Sequence, residues 1–351
     1  MYDAIADLPV VVDSVSLDRV ERETAAFTRA TTVVALSGDG EAGRGEDVTY
    51  ETAHHDALAE HEADTADGGA FDLAGEYTFA EFAATLDETD LWPVDDPDRE
   101  DFRHYRRWGF EAAALDLALR QAGETLGERL DRSLDPVRFV VSGRLPEGDT
   151  KRVETLLDRY PDAELKLDPT TDWPDGTFDF LADTDAVRVL DLKGHYEGTD
   201  VDQSPDPALY ERVFEGFPDA TVEDPAVTAA TRGIVSEHAG RVAWDAPIHG
   251  LDDVRDAPFD VRRLNVKPSR FGTLESLFET LEWAFERDVA LYGGGQFELS
   301  VGRGQIQELA SLFYPAGPND VAPGAYNDPR LPDDPPRSPI SPPEDHVGFG
   351  L

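Results

Sequence analysis

Six ionisable side chains close six short apolar runs between residues 166 and 298. They are Lys166 in "ELKLDP", Asp191 in "VLDLKG", Glu223 in "VEDP", Asp245 in "AWDAP", Lys267 in "NVKPSRFG" and Glu298 in "GQFEL". The intervals are 25, 32, 22, 22 and 31 residues, each about the length of one strand and one helix. Asp191, Glu223 and Asp245 together offer a hard oxygen cage suited to Mg²⁺, with positions left for substrate and water. Lysines stand on either side of that cage. A carboxylic acid held on the ion would have its α-hydrogen acidified, because Mg²⁺ stabilises the enediolate left behind. A lysine desolvated beside a cation can be neutral enough to take that proton, while a second acts from the opposite face or as a fixed charge.

Lysine is otherwise almost absent. The chain has four lysines (Lys151, Lys166, Lys193 and Lys267) against 27 arginines. Arginine matches the charge of lysine but does not deprotonate. Lys151 opens a helical pattern and reads as a surface residue. The other three fall at strand ends, where acid/base chemistry would need them.

Such groups need a scaffold that brings strand ends together. After Pro136, apolar runs alternate with helical patterns: "RFVVSGRL", "AELKLDP", "AVRVLDLKG", "ATVEDP", "RVAWDAP", "RRLNVKP" and "VALYGGG", with "NDVAPGA" a candidate for one more. Continuous apolar strands alternating with helices predict a parallel sheet covered by helices. Seven or eight such units in this length fit an α/β fold of the modified (β/α) TIM-barrel type, whose strand C-termini meet at one face. No strand leads into a GxGxxG turn, which disfavours a dinucleotide-binding open sheet. Upstream, strand-like residues 8–17 and 31–37 precede helical patterns in "TFAEFAATLDETDLW" and "HYRRWGFEAAALDLALRQAGETLGERL". This predicts an N-terminal α+β capping domain over residues 1–133, a barrel over 134–330 and a proline-rich strap over 331–351. The polar stretch 53–72 reads as a mobile loop with a short helix, and as one of the cap segments that select substrate.

Seventy-four acidic residues against 31 basic ones give a formal net charge of −43. That balance disfavours nucleic acid and anionic membrane as partners. The acidity is spread along the chain, as expected for a protein kept soluble in a salt-rich, halophilic cytoplasm. The absence of cysteine removes disulfides, thiolate metal sites and thiol nucleophiles. No segment reads as a secretion signal or a membrane span, so a cytoplasmic location is expected. A homo-oligomer stays open.

These residues resemble the enolase superfamily, and within it the muconate-lactonizing branch, over nearly the whole chain. "ELKLDP" is similar to the end of that branch's KxK signature, with Glu164 at the first lysine position. Asp191, Glu223 and Asp245 match its three Mg²⁺ ligands, and "NVKPSRFG" matches the strand with its second lysine. Glu298 falls where a strand-seven carboxylate is common. The resemblance implies abstraction of a proton α to the carboxylate of a small carboxylic acid, with Lys166 and Lys267 as the acid/base pair on opposite faces. Dehydration, epimerisation or cycloisomerisation would follow. A sugar-acid dehydratase using another base, or a non-catalytic metal-containing binding protein, are the alternatives. The mandelate racemase branch fits less well, since "YGGGQFEL" offers no histidine. Asp191-Leu192-Lys193 stands where the family commonly has Asp-x-Asn. Lys193 therefore either contacts substrate or pairs with a neighbouring carboxylate, and Asn265 and Glu298 either line the site or support it from behind. His195, His249 and the glycine-rich turn with Arg303 are weaker candidates.

Overall fold

The computed structural model describes residues 1–65, 70–199 and 201–351. Its first half is the cap. β1 (Pro9–Val12) is followed by β2 (Ser14–Glu23), β3 (Thr28–Gly38) and β4 (Glu41–Asp47), and β2–β3–β4 form an antiparallel meander. Asp39 and Gly40, at φ of 50° and 81°, make the two-residue turn between β3 and β4, whose twist suits a right-handed hairpin. β5 (Gly75–Thr78) pairs antiparallel with β1.

The helix Asp101–Ala122 lies directly on β4 because glycine faces it. A Cβ at Gly45 would stand 2.0 Å from the Gly109 carbonyl oxygen, and one at Gly43 would stand 2.1 Å from the Leu117 nitrogen. Residues 53–72 differ from the expected loop. Thr52–Asp64 is a helix of 13 residues, while residues 66–69 lie outside the described residues. Its buried face consists of His54, His55 and Leu58, so the inward stripe is polar and escapes a hydrophobicity pattern. His55 holds it through Thr32 Oγ1 and the Thr49 carbonyl, both at 2.8 Å.

The barrel follows: β6 (Val141–Gly143), β7 (Leu165–Leu167), β8 (Val187–Asp191), β9 (Thr221–Glu223), β10 (Val242–Trp244), β11 (Arg263–Val266) and β12 (Ala290–Gly293). They lie side by side in chain order, all parallel. Closure comes from two residues of the expected eighth unit. Asn319 bridges to Phe139 before β6, and Asp320 bridges to Gly294 after β12. The architecture is thus a modified (β/α) barrel carrying an N-terminal cap.

Register decides which side chains meet inside. In a barrel of this type each step between paired residues of neighbouring strands changes level by about one residue, so alternate strands share a layer. Starting from the pairs Lys166–Val189, Asp191–Glu223, Glu223–Ala243 and Asn265–Tyr292, the layers can be assigned. Val189, Ala243 and Tyr292 form the floor, and they are a separate buried apolar cluster. Above them come Lys166, Glu223, Asn265 and Asp320. Asp191 and Asp245 make the next layer, and Asp168 and Lys267 share the mouth.

The cap is stitched to the barrel by buried polar contacts. The Glu46 carboxylate accepts the backbone N–H groups of Leu299 (2.7 Å), Ser300 (3.0 Å) and Gly302 (2.9 Å) at the start of helix Val301–Phe313, where unpaired N–H groups favour an anion. Glu111 accepts the Leu274 N–H at 2.8 Å. The proline-rich tail bridges to Val137 through Ile340 and ends with buried Phe349 against Trp108. No helix of the described residues is long and apolar enough to cross a membrane.

Gly45→Ala should therefore destabilise the chain by about 3 kcal/mol, the cost of overpacking a contact that cannot yield. Gly176→Ala, where a Cβ would meet nothing within helix Asp175–Thr184, should be neutral or slightly stabilising. Denaturant midpoints of the two variants measure the difference.

Candidate active site

Four of the predicted residues meet in the lower part of the barrel. Lys166 Nζ donates to Glu223 Oε1 at 2.5 Å and lies 3.6 Å from Asp191 Oδ2 and 3.7 Å from Asp320 Oδ2. Asn265 Nδ2 donates to Glu223 Oε2 at 3.1 Å, and the Tyr292 hydroxyl rises from the floor to the same oxygen. Asp191 is held from both sides by one residue. The Lys193 backbone N–H donates to Oδ1 at 3.0 Å, and its own ammonium donates to Oδ2.

Asp245 occupies the other side. Lys267 Nζ lies 2.8 Å from its Oδ2, and the Tyr196 hydroxyl donates to the same oxygen at 3.1 Å. Arg270 Nε faces Oδ1 at 3.3 Å as an ion pair without hydrogen-bond geometry. Arg270 also donates to the Ala246 carbonyl and the Tyr196 hydroxyl, both at 3.0 Å. Asp191, Glu223 and Asp245 are fully buried, while Lys166, Lys193 and Lys267 are 2%, 9% and 6% exposed.

Burial alone would lower the Lys166 ammonium, but Glu223, Asp191 and Asp320 reverse this and hold it well above the usual lysine range. Burial pushes the Glu223 carboxyl well up, against the pull of Lys166 and with the help of Asp191 and Asp245. Asp224 is pushed up to about 7 by burial and by the charges of Asp245 and Asp191. The opposite holds for Asp191, which Lys193 and Lys166, against burial, hold below the usual carboxylate range, and for Asp245, which Arg270 and Lys267 hold down in the same way.

This supplies the test for a metal. One oxygen each from Asp191, Glu223 and Asp224 lies within 4.8 Å of the others, Asp245 Oδ1 accepts no hydrogen bond, and all the donors are hard oxygens of the kind Mg²⁺ takes. The residues present fit a divalent cation.

Residues 133–328 match the family model described as Domain of unknown function (DUF8230) C-terminal domain, and residues 3–129 match its N-terminal domain. The chain belongs to this family. No curated protein matches its sequence. Among solved structures, the chain is similar to a muconate lactonizing enzyme from Pseudomonas fluorescens complexed with muconolactone (TM-score 0.64, 17% identity, 89% of this chain and 88% of that one covered). It is also similar to muconate lactonizing enzyme from Pseudomonas putida (0.63, 17%, 89% and 88%). A member of the enolase superfamily from Listeria innocua gives 0.62, 16%, 89% and 86%. At these identities the likeness establishes a shared fold.

The DUF8230 chain departs from the sequence-based expectation in its geometry. Lys166 does not face Lys267 across the mouth. Side chains at 164, 166 and 168 share one strand face, and register places Lys166 beside Glu223, a full layer below Asp191 and Asp245. Asp168 takes the level opposite Lys267, with Arg144 Nε at 3.1 Å and Lys193 Nζ at 3.7 Å. Glu164 pairs instead with Arg138 and Arg188. Glu298 lies in the loop after β12, where it accepts the Gln296 N–H at 2.6 Å and faces Arg303 at 3.2 Å. It supports the cap contact, and the helix N-terminus beside it is already filled by Glu46. His249 faces His104 of the cap, with ring centroids 5.6 Å apart, and His195 stands 5.7 Å from the Trp244 ring.

Six participants went unread, Asp168 and Asp320 among them. Asp224 carried a local signal, since it directly follows Glu223. Its carboxylate accepts the Asp245 and Ala246 N–H groups at 2.8 Å each and so aims the β10 end. Arg270 lay inside the quoted "NVKPSRFG". Tyr196 and Tyr292 carried no signal beyond being aromatic.

Replacing Lys166 by Met should leave Glu223 and Asp191 without their closest shared cation. The expected loss is about 3–5 kcal/mol, the usual cost of stranding a buried charge. Equilibrium unfolding in chelator should show that loss, with partial recovery in the Lys166→Met/Glu223→Gln double variant.

Proposed function

We propose that the chain is an Mg²⁺-dependent enzyme that removes the hydrogen α to the carboxylate of a small acid, with dehydration, epimerisation or cycloisomerisation as the outcome. The observation that carries this reading is the cluster of fully buried carboxylates, with one oxygen each of Asp191, Glu223 and Asp224 within 4.8 Å of the others, beside Asp245 and the Lys267 ammonium at the mouth. Asp191, Glu223 and Asp245 would hold the ion, which when bound supplies an electrophile that acidifies the α-hydrogen of a carboxylate lying against it.

The chain's own groups divide the remaining work. Lys267 is the proton-transfer group. It stands at the mouth, Asp245 fixes its direction at 2.8 Å, and its amine flanks any molecule resting on the carboxylate layer. On the opposite wall Asp168 stands at the same level and can exchange a proton from the other face. Lys166, two layers below Lys267 and level with Glu223, stays charged and compensates Glu223 from the side. Arg270 and Tyr196 wall the mouth beside Asp245, and Asn265 keeps the Glu223 carboxylate from turning. The cap excludes water, which strengthens each of these charges.

The reading is tested by offering small carboxylic acids in D₂O, molar KCl and Mg²⁺, and following the α-hydrogen by NMR. At least one acid should lose its α-proton signal, and Lys267→Met should slow that exchange by a factor of about 10³ or more while still binding Mg²⁺. Acids that bind without exchanging would favour a non-catalytic binding protein. Exchange that survives in Lys267→Met would remove Lys267 from the role.

A further inference from the structure

Lys193 is placed at some cost to the backbone. It follows β8 at φ 52°, in the left-handed region that a lysine adopts rarely. That conformation folds the residue back on Asp191, so that its N–H meets one carboxylate oxygen and its ammonium meets the other. Each Asp191 oxygen thus already accepts a hydrogen bond from Lys193. The residue is 9% exposed, and its ammonium also lies 4.9 Å from the centre of the Tyr196 ring. A second carboxylate is already within reach, with Asp168 Oδ1 3.7 Å from the same nitrogen. Strained backbone held by its surroundings marks a position where conformation carries function.

We propose that Lys193 is a tethered cation that competes with a divalent ion for Asp191, its ammonium moving toward Asp168 when the ion binds. This rests on the reading of Asp191, Glu223 and Asp245 as the ion's ligands. In the resting state the lysine balances a fully buried carboxylate that would otherwise stand beside Glu223 and Asp224 with only Lys166 to offset it. With the ion bound, the ammonium would move toward Asp168, which already lies 3.7 Å from it. There it adds positive charge on the side where a substrate carboxylate would lie. The lysine thus weakens the ion's binding and makes it depend on a second carboxylate that never touches the ion.

The test is a double-mutant cycle read by calorimetric titration of MgCl₂ into the full-length protein in molar KCl. Lys193→Met, which keeps the bulk and removes the charge, should bind Mg²⁺ at least tenfold more tightly than the unaltered chain. Asp168→Asn should weaken binding in the unaltered chain, because the displaced ammonium loses its resting place, and should change nothing when Lys193 is already Met. In chelator, Lys193→Met should melt at a lower temperature, and Mg²⁺ should restore it. If Lys193→Met does not fold, Lys193→Gln replaces it with the same expectation. Equal or weaker binding by the charge-free variants overturns the displacement while leaving the metal reading intact. Absence of Mg²⁺ binding in every variant overturns both.

Discussion

Charge buried in a barrel interior is the constraint from which the rest of this structure follows. Barrels of this type fill their centre with branched aliphatic side chains. Here an apolar layer remains only as the floor of Val189, Ala243 and Tyr292, and the layers above it are made mostly of buried lysines and carboxylates. An unpaired ion in such surroundings costs several kcal/mol, so each must be met by an opposite charge or by a directed hydrogen bond. Lys166 meets Glu223, Lys193 meets Asp191, and Lys267 with Arg270 meets Asp245. Asp168, Asp224 and Asp320 stand in the same cluster, which brings the carboxylates to six against these four cations and Arg144. That excess is the physical basis for reading the cluster as one that holds a divalent ion.

The cap follows from the same constraint. A polar interior stays dry only if its mouth is covered, and a cover on a surface of net charge −43 cannot rely on long-range attraction. The contact is made instead by short-range, buried pairings: Glu46 on a helix N-terminus, Glu111 on the Leu274 N–H, and Arg29 on the Gln296 carbonyl at 3.0 Å. Each spends an acidic or basic residue inside, where salt does not screen it. The tail ending at Phe349 adds an apolar anchor between the long cap helix and the barrel.

The fold class and the strand-end placement of Asp191, Glu223, Asp245 and Lys267 were legible in the sequence, because continuous apolar runs alternating with helical patterns announce parallel strands and the ionisable residue that ends each run marks its C-terminal end. Vertical position was not legible. Whether Lys166 or Asp168 reaches the mouth depends on register between neighbouring strands, which a single chain's pattern does not encode. The helix Thr52–Asp64 was hidden because it buries histidines where an amphipathic pattern would show leucines. Contacts between distant segments, such as Tyr292 on Glu223 or Glu46 on Ser300, depend on closure of the whole barrel and leave no local mark.

The most direct measurement is anomalous scattering from a crystal of the full chain equilibrated with Mn²⁺ in place of Mg²⁺. A single strong peak among the Asp191, Glu223 and Asp245 carboxylates, with the Lys193 ammonium withdrawn from Asp191, is the predicted result. A carboxylate cluster that stays unmetallated at saturating Mn²⁺, or a peak elsewhere in the molecule, would contradict it.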